Sequence, residues 1–160
     1  MVNFGKIVGK QEQYKELKLH QKYKIQKIKM IKKFNLIIVC CYQEGQFDPM
    51  NSSSDNKVLL LNFKTGEELS NISFESGQIP QHILYNEHDK SVIIGSNFIC
   101  ENTQNTSCML HFYSLIDSNG ILGLSEIKSI RQNNCTVMDL KSFLYFDDKH
   151  YLAIAFNSFV

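Results

Sequence analysis

The residues best suited to acid–base chemistry in this chain are its five histidines. Two of them, His88 and His150, fall in predicted hairpin turns next to Asp89 and Asp148. A catalytic histidine needs a cleft that brings its ring within hydrogen-bond reach of a nucleophile or substrate. No motif in the sequence indicates such a cleft, so we expect these histidines to be exposed turn residues.

Motifs for phosphate binding and covalent catalysis are missing from the sequence. It contains no GxGxxG, GxxxxGK[ST], GxSxG or HExxH pattern. The acid pairs Glu67–Glu68 and Asp147–Asp148 fall in predicted turns, where adjacent carboxylates are usually solvated. The sequence therefore predicts a protein that is not an enzyme, with no catalytic, cofactor-binding or metal-binding residues and no cofactor.

Five cysteines are an odd number, which argues against a disulfide framework. Cys40 and Cys41 lie inside an apolar run, which is typical of buried thiols in a reducing compartment. A zinc site favours closely spaced cysteine pairs, and Cys100 and Cys108 are too far apart to form one; Cys135 is isolated. We therefore predict free thiols and a cytoplasmic location.

Charge divides the chain into a basic leader and an acidic body. Residues 1–33 carry ten lysines against two glutamates, a balance of +8, and the remainder has a balance of −7. Two interpretations stay open: residues 6–33 bind RNA or another anionic surface, or they form a solvated lysine-rich segment. No apolar stretch approaches the ~20 residues that a membrane helix needs, and the N-terminus does not resemble a signal peptide.

The positions of the apolar residues predict strands of two kinds. The run at residues 57–63 is apolar on both faces, so it must be covered on both. A turn at Gly66 leads to residues 68–74, which alternate as a half-solvated edge strand does. Leu36 to Tyr42 is a second doubly apolar run, and before it Ile25, Ile28 and Met30 are the inward candidates of residues 23–31.

This order of strands recurs along the chain. The segments FNLIIVCC, DKSVIIGS and DKHYLAIA begin at Phe34, Asp89 and Asp148, which gives steps of 55 and 59 residues. A four-strand unit that repeats in this way is typical of a β-propeller. The predicted four-stranded antiparallel blades span about 23–74, 79–130 and 137–160. Residues 1–22 are a leader, predicted to be helical or disordered.

The stretch VLLLNFKTGEEL resembles the third strand and turn of WD-repeat β-propellers. Leu61 stands at the position of the family's Trp, Asn62 at that of its Asp, and Gly66 at the turn glycine. In the second unit Tyr113 and Ser114 occupy the Trp and Asp positions. The chain has no Trp and lacks the Gly-His pair that opens family repeats, so the buried hydrogen-bond network of the family is not expected. The resemblance covers residues about 23–158.

The resemblance implies an all-β, β-propeller-like fold of about two and a half blades at residues 23–160. A propeller needs at least about four blades to close. We therefore expect the chain to be a portion of a larger propeller or to be completed by a partner. The expected function is a non-catalytic protein-interaction scaffold, with loops 44–56 and 100–107 as contact sites. The alternative is a nucleic-acid- or anionic-surface-binding component acting through residues 6–33.

Overall fold

The computed structural model describes backbone at residues 2–8, 11–17, 23–43, 56–75, 77–98, 106–118, 121–144 and 150–158. Side chains are described at residues 23–42, 56–75, 77–98, 106–117, 122–142 and 151–157. The fold is all-β and its sheets are antiparallel, as predicted. The strands are β1 (Val2–Val8), β2 (Gln11–Leu17), β3 (Tyr23–Ile31), β4 (Leu36–Gln43), β5 (Lys57–Asn62), β6 (Glu68–Ser73), β7 (Gln78–Asn86), β8 (Ser91–Phe98), β9 (Ser107–Ser118), β10 (Ile121–Asn133), β11 (Cys135–Leu144) and β12 (His150–Ser158).

The strands after β2 form three sheets in sequence order. Sheet 1 is the meander β3–β4–β5–β6, sheet 2 is the meander β7–β8–β9–β10, and sheet 3 is the hairpin β11–β12. A single 3₁₀ turn, Lys32–Phe34, links β3 to β4 and ends at Asn35 with φ of 52°. The sequence thus predicted the strand content and order of residues 23–158 closely.

The leader differs from the expectation of a helix or disorder. Strands β1 and β2 form an antiparallel hairpin whose pairing runs from Val2↔Leu17 to Val8↔Gln11. Residues such as Phe4 and Ile7 favour extended backbone, and pairing satisfies the amide and carbonyl groups that a lone strand would leave open. Residues 18–22 lie outside the described part of the chain.

Strand β4 is buried on both faces, as its sequence predicted. All six residues from Leu36 to Cys41 have no exposed surface. Leu36, Ile38 and Cys40 pack with residues of sheet 2, including Ile94. The alternate residues Ile37, Val39 and Cys41 pack on the opposite face with Leu59 and Leu61 of β5.

Strand β8 holds the same central place between sheets 1 and 3. Its residues Val92 and Ile94 belong to the core shared with sheet 1. Ile93, between them, faces the core shared with Val137 and Leu140 of sheet 3. Sheet 2 is therefore the middle layer of the stack, which explains why β8 is apolar on both faces.

The edge strands are less buried. Strand β6 alternates between exposed and half-buried residues, which confirms its prediction as a half-solvated strand. In β3 the prediction was only partly right, since Ile25 is half buried whereas Ile28 and Met30 are each 37% exposed. Both lie opposite buried residues of β4, at Ile28↔Val39 and Met30↔Ile37. Val39 and Ile37 face away from sheet 2, so Ile28 and Met30 also lie on that face and not in the core between sheets 1 and 2.

A β-bulge recurs at the same place in each sheet. The first three residue pairs of β3–β4, β7–β8 and β11–β12 are regular, and one residue of the first strand is then skipped. The skipped residues are Gln26, Gln81 and Met138. A bulge of this kind inserts one residue and increases the local twist. The three sheets therefore open with the same hairpin, although their side chains differ.

Gly95 in β8 permits the close approach of sheet 3 to sheet 2. A Cβ at this position would lie 3.2 Å from Val137 Cγ1 and 3.3 Å from His82 Cβ. Both distances are tighter than ordinary van der Waals contact. Val137 and its neighbour Leu140 belong to the core between the two sheets, so a larger residue at 95 would push β11 away.

We expect Gly95→Ala to destabilise the protein by about 1–3 kcal/mol, because the added methyl overpacks a close contact. Urea unfolding monitored by circular dichroism measures the change. Gly123→Ala is the matched control, since its Cβ would meet its nearest neighbour, Ile116 Cγ1, at 3.8 Å. Equal stability of the two variants would show that sheet 3 does not pack tightly on Gly95.

Candidate functional site

A buried polar cluster joins three strands of sheet 2. It consists of Gln78 in β7, Ser96 in β8 and His111 in β9, all of them buried. Gln78 Nε2 lies 2.7 Å from Ser96 Oγ and 2.7 Å from His111 Nε2. Ser96 Oγ lies 3.3 Å from the same ring nitrogen. The three side chains therefore satisfy one another inside an otherwise apolar layer.

The other side of the His111 ring meets an acid and an aromatic residue. His111 Nδ1 lies 3.6 Å from Glu126 Oε1, and about half of the Glu126 side chain is exposed. The ring of Phe74 from sheet 1 packs edge-on at 5.1 Å between centroids. Burial lowers the pKa of His111, and the hydrogen bond and charge of Glu126 oppose that effect. The histidine is therefore held mainly in its neutral form.

Ser96, His111 and Glu126 are the residue types of a hydrolytic triad, but their surroundings do not suit catalysis. A serine nucleophile must meet a substrate carbonyl, and Ser96 has no exposed surface. The amide of Gln78 occupies the space beside the hydroxyl. The arrangement instead resembles a fully hydrogen-bonded buried network that fixes how neighbouring strands align.

This cluster is a feature that sequence analysis missed. The absence of a Gly-His pair argued against a buried network, yet a histidine and a serine on neighbouring strands provide one. The alternation of inward and outward side chains in β8 and β9 could have indicated this cluster. Ser96 and His111 each stand at a position whose neighbours two residues away face the core, as Ile94 and Tyr113 do.

Two asparagines extend polar contacts from sheet 2 to its neighbours. Asn56, just before β5, donates through Nδ2 to the carbonyl of Gln78 at 2.9 Å. Asn97 donates to the carbonyl of Val137 at 3.1 Å and accepts from the Val137 amide at 2.8 Å. Both asparagines are buried. Together they tie all three sheets at the end where β4 and β8 finish.

The cysteines are thiols at the described positions. Cys40, Cys41, Cys108 and Cys135 are free and buried, and Cys100 lies outside the described residues. Cys108 Sγ and Cys135 Sγ are 3.3 Å apart across the boundary between sheets 2 and 3. Burial raises the pKa of Cys108 to about 12 and that of Cys41 to about 11. Thiols of this kind are poor nucleophiles near neutral pH.

The turn after β5 forms as its sequence predicted. Gly66 has φ of 78°, a left-handed conformation that glycine adopts without strain. The Asn62 side-chain oxygen accepts hydrogen bonds from the amides of Lys64 at 2.8 Å and Thr65 at 3.1 Å. Asn62 thus caps the turn with its side-chain oxygen, as an aspartate at that position could.

The histidines and acids that sequence analysis examined remain apart. His88 is exposed in the β7–β8 turn, where its amide donates to Asn86 Oδ1 at 3.2 Å. Glu67 in the β5–β6 connection and Glu68 at the start of β6 are exposed, and their carboxylates accept hydrogen bonds from Thr65 and Asn71 respectively. Asp147, Asp148 and the side chain of His150 lie outside the described residues. Most of loops 44–56 and 100–107 also lies outside them.

The described residues also bear on metal binding, membrane helices and cavities. No group of three or more His, Cys, Asp or Glu residues there is placed to hold a metal ion. None of the helices in this part is long and apolar enough to cross a membrane. A cavity of about 320 Å³ lies between sheets 2 and 3, and residues of both sheets line it, among them Phe112, Ile127, Lys128 and Leu152.

Four of the five lysines in residues 23–33, all with described side chains, are exposed; the fifth, Lys29, is half buried. Lys24 and Lys27 project from β3, and Lys32 and Lys33 from the following 3₁₀ turn. They neighbour the partly exposed Ile28 and Met30. This forms a basic and apolar strip at the edge of sheet 1.

Comparison of the chain with protein-family models, curated protein sequences and solved structures finds no match. The resemblance to WD-repeat propellers therefore stays a prediction.

Protonation of His82 and His111 in the unfolded chain makes stability pH-dependent. Burial lowers the pKa of both His111 and His82 in the folded protein. Below their ordinary value of 6.5, the unfolded chain takes up protons that the folded protein does not. The contribution of these two histidines to the free energy of unfolding is therefore fully present above that value and is lost as the pH drops below it.

We expect His111→Gln to flatten the decline in unfolding free energy between pH 7.5 and 5. One proton of difference corresponds to a slope of at most about 1.4 kcal/mol per pH unit. Urea denaturation at several pH values measures the slope. His88→Gln, which alters an exposed turn, serves as the control and should keep the wild-type profile. An unchanged slope in His111→Gln would contradict the assignment.

Proposed function

We propose that this chain is a non-catalytic protein–protein interaction scaffold with a β-propeller-like arrangement of its sheets. The repeated bulged hairpin supports the propeller-like arrangement, as do contacts of β7 with both β3 and β11. Such contacts bring the first strands of successive sheets side by side. Repeated units of this kind present their connecting loops from a rigid base.

The observation that carries the proposal is the polar anchoring beneath two equivalent loops. Residues 44–55 connect β4 to β5, and residues 99–106 connect β8 to β9, so both join the second and third strands of a sheet. Buried Asn56 and Asn97 stand at the base of these loops and bond to the neighbouring sheet. The bases of the two loops are thus fixed relative to each other, which suits a composite binding surface.

We expect a partner protein captured by the wild-type chain to be lost when residues 46–54 are replaced by a Gly-Ser linker of equal length. Affinity capture identifies the partner, and calorimetry with the purified partner measures the loss, expected at tenfold or more. The control variant, Glu87→Ser/His88→Ser, alters an exposed turn at the opposite end of sheet 2 and should bind normally. Equal affinity of the loop variant would contradict the proposed contact site.

A second candidate function is binding of RNA or another anionic surface through residues 6–33. The exposed lysines of β3 and the 3₁₀ turn favour it, because clustered lysines neutralise phosphates and release counterions. The aromatic residues suited to base stacking are few there, which favours backbone contacts over base contacts.

For this second function we expect Lys27→Gln/Lys32→Gln/Lys33→Gln to weaken binding to single-stranded RNA and to reduce the slope of log affinity against log salt by about 2. Fluorescence anisotropy with labelled poly-U across a salt series measures both. Lys64→Gln/Lys90→Gln/Lys141→Gln removes the same charge elsewhere and should bind as the wild type does. If both triple variants bind equally, the basic strip is a solvated surface.

A further inference from the structure

Two cysteines face each other between sheets 2 and 3. Cys108 is the second residue of β9, Cys135 is the first residue of β11, and their sulfur atoms are 3.3 Å apart. Cys108 has no exposed surface, and Cys135 is 4% exposed. Both side chains pack in the apolar core that joins the two sheets. The sulfur atoms therefore need only a small further approach to reach the ~2.05 Å of a covalent S–S bond.

The pairing of β10 with β9 brings the two thiols together. The end of β10 pairs with the start of β9, where Gln132 lies opposite Cys108. The chain then turns at Asn134, whose φ is 57° and whose amide donates to the carbonyl of Thr106 at 2.8 Å. The next residue, Cys135, is thereby placed over Cys108, and its Sγ lies 3.7 Å from the carbonyl oxygen of Gln132.

Polar contacts beside the pair hold the two sheets together. Asn97 of β8 lies opposite Cys108 in the β8–β9 ladder. The Asn97 side chain makes two hydrogen bonds to the backbone of Val137, which follows Cys135 by two residues. Strands β9 and β11 are thus held close to each other at this point, which keeps the two sulfur atoms within reach of each other.

The other cysteines that the structure describes are not placed in this way. Cys40 and Cys41 are adjacent in β4, point to opposite faces of sheet 1 and belong to different core clusters. Among the described positions, Cys108 and Cys135 are therefore the pair that is arranged for bond formation.

We propose that Cys108 and Cys135 form a redox-sensitive modification site, in which a peroxide oxidises both thiols to a disulfide that joins sheet 2 to sheet 3. The two residues are 27 positions apart, so the bond closes a loop in the chain. Such a loop restricts the unfolded chain and thereby stabilises the folded protein. This site goes beyond the proposed scaffold function and needs no partner protein.

One peroxide molecule suffices for the pair. The Cys135 thiolate attacks one oxygen of hydrogen peroxide, the O–O bond breaks, and the departing hydroxide takes up a proton and leaves as water. The Cys108 sulfur then attacks the sulfur of the resulting sulfenic acid, and the S–O bond breaks. The hydroxyl group leaves with the Cys108 proton as a second water. Two thiols and one peroxide thus give one disulfide and two waters.

The surroundings of the two thiols favour Cys135 as the first to react. Cys135 is the more exposed of the two and follows the exposed turn residue Asn134. Burial raises the pKa of Cys108 to about 12, so this thiol is protonated near neutral pH and reacts slowly with peroxide. Its position beside Cys135 offsets the low reactivity, because the sulfenic acid forms next to it.

The test treats the full reduced chain with hydrogen peroxide at about pH 8, where thiolates are more abundant than at neutral pH. Remaining thiols are alkylated, and the chain is digested with trypsin and Glu-C without reduction. Cleavage after Glu101 separates Cys100 from Cys108. We expect fragments 102–126 and 132–141 to be joined, with a mass two hydrogens below their sum, and to separate on addition of dithiothreitol.

Oxidation should also raise the midpoint of thermal unfolding of the wild-type chain by roughly 5–15 °C, since the new loop restricts the unfolded state. Cys135→Ala should lose both the cross-link and this increase, whereas the control Cys100→Ser should keep both. In urea the sheets no longer position the thiols, so the same treatment should give mixed pairings among the five cysteines.

Four results would overturn the proposal. They are cross-links formed mainly through Cys100, disulfide-linked dimers, oxidation of Cys135 beyond the sulfenic acid without a cross-link, and a wild-type chain that keeps both thiols after treatment. None of these results depends on loop 44–56 or on a partner protein, so the scaffold proposal is tested separately.

Discussion

The structure depends on covering β4 and β8 on both faces. Each strand presents apolar side chains above and below its sheet, and a strand of this kind is stable only between two layers. Sheet 2 covers one face of β4, and sheets 1 and 3 cover the two faces of β8. Sheet 2 lies in the middle because β8 has one apolar face toward sheet 1 and the other toward sheet 3.

Polar contacts and close packing then fix how the layers meet. Apolar surfaces alone permit sliding, because dispersion and the hydrophobic effect have little directional preference. The two hydrogen bonds between Asn97 and Val137 have a defined direction, and so does the bond from Asn56 to the carbonyl of Gln78. Gly95 complements them by letting β11 approach closely. The buried network is therefore best understood as a determinant of register.

The sequence predicted most strands of this fold because their signals are local. Neighbouring residues determine three of these features: the run Leu36 to Tyr42, the turn at Gly66 and the hairpin at Asn86 to Lys90. The leader hairpin, the exposure of Ile28 and Met30 and the His111 cluster were not predicted. They depend on which distant strand lies alongside, and a pattern of alternation in one strand does not contain that information.

The bulges at Gln26, Gln81 and Met138 reverse the facing of side chains partway along each opening strand. In β7, Gln78 and Pro80 are buried before the bulge, and Ile83 and Tyr85 are buried after it, so inward positions change from even to odd numbers. The positions of β7 that face sheet 1 therefore change parity at a single residue, while Leu84 packs on the opposite face against sheet 3. The backbone kink, rather than any particular amino acid, is what the three opening hairpins have in common.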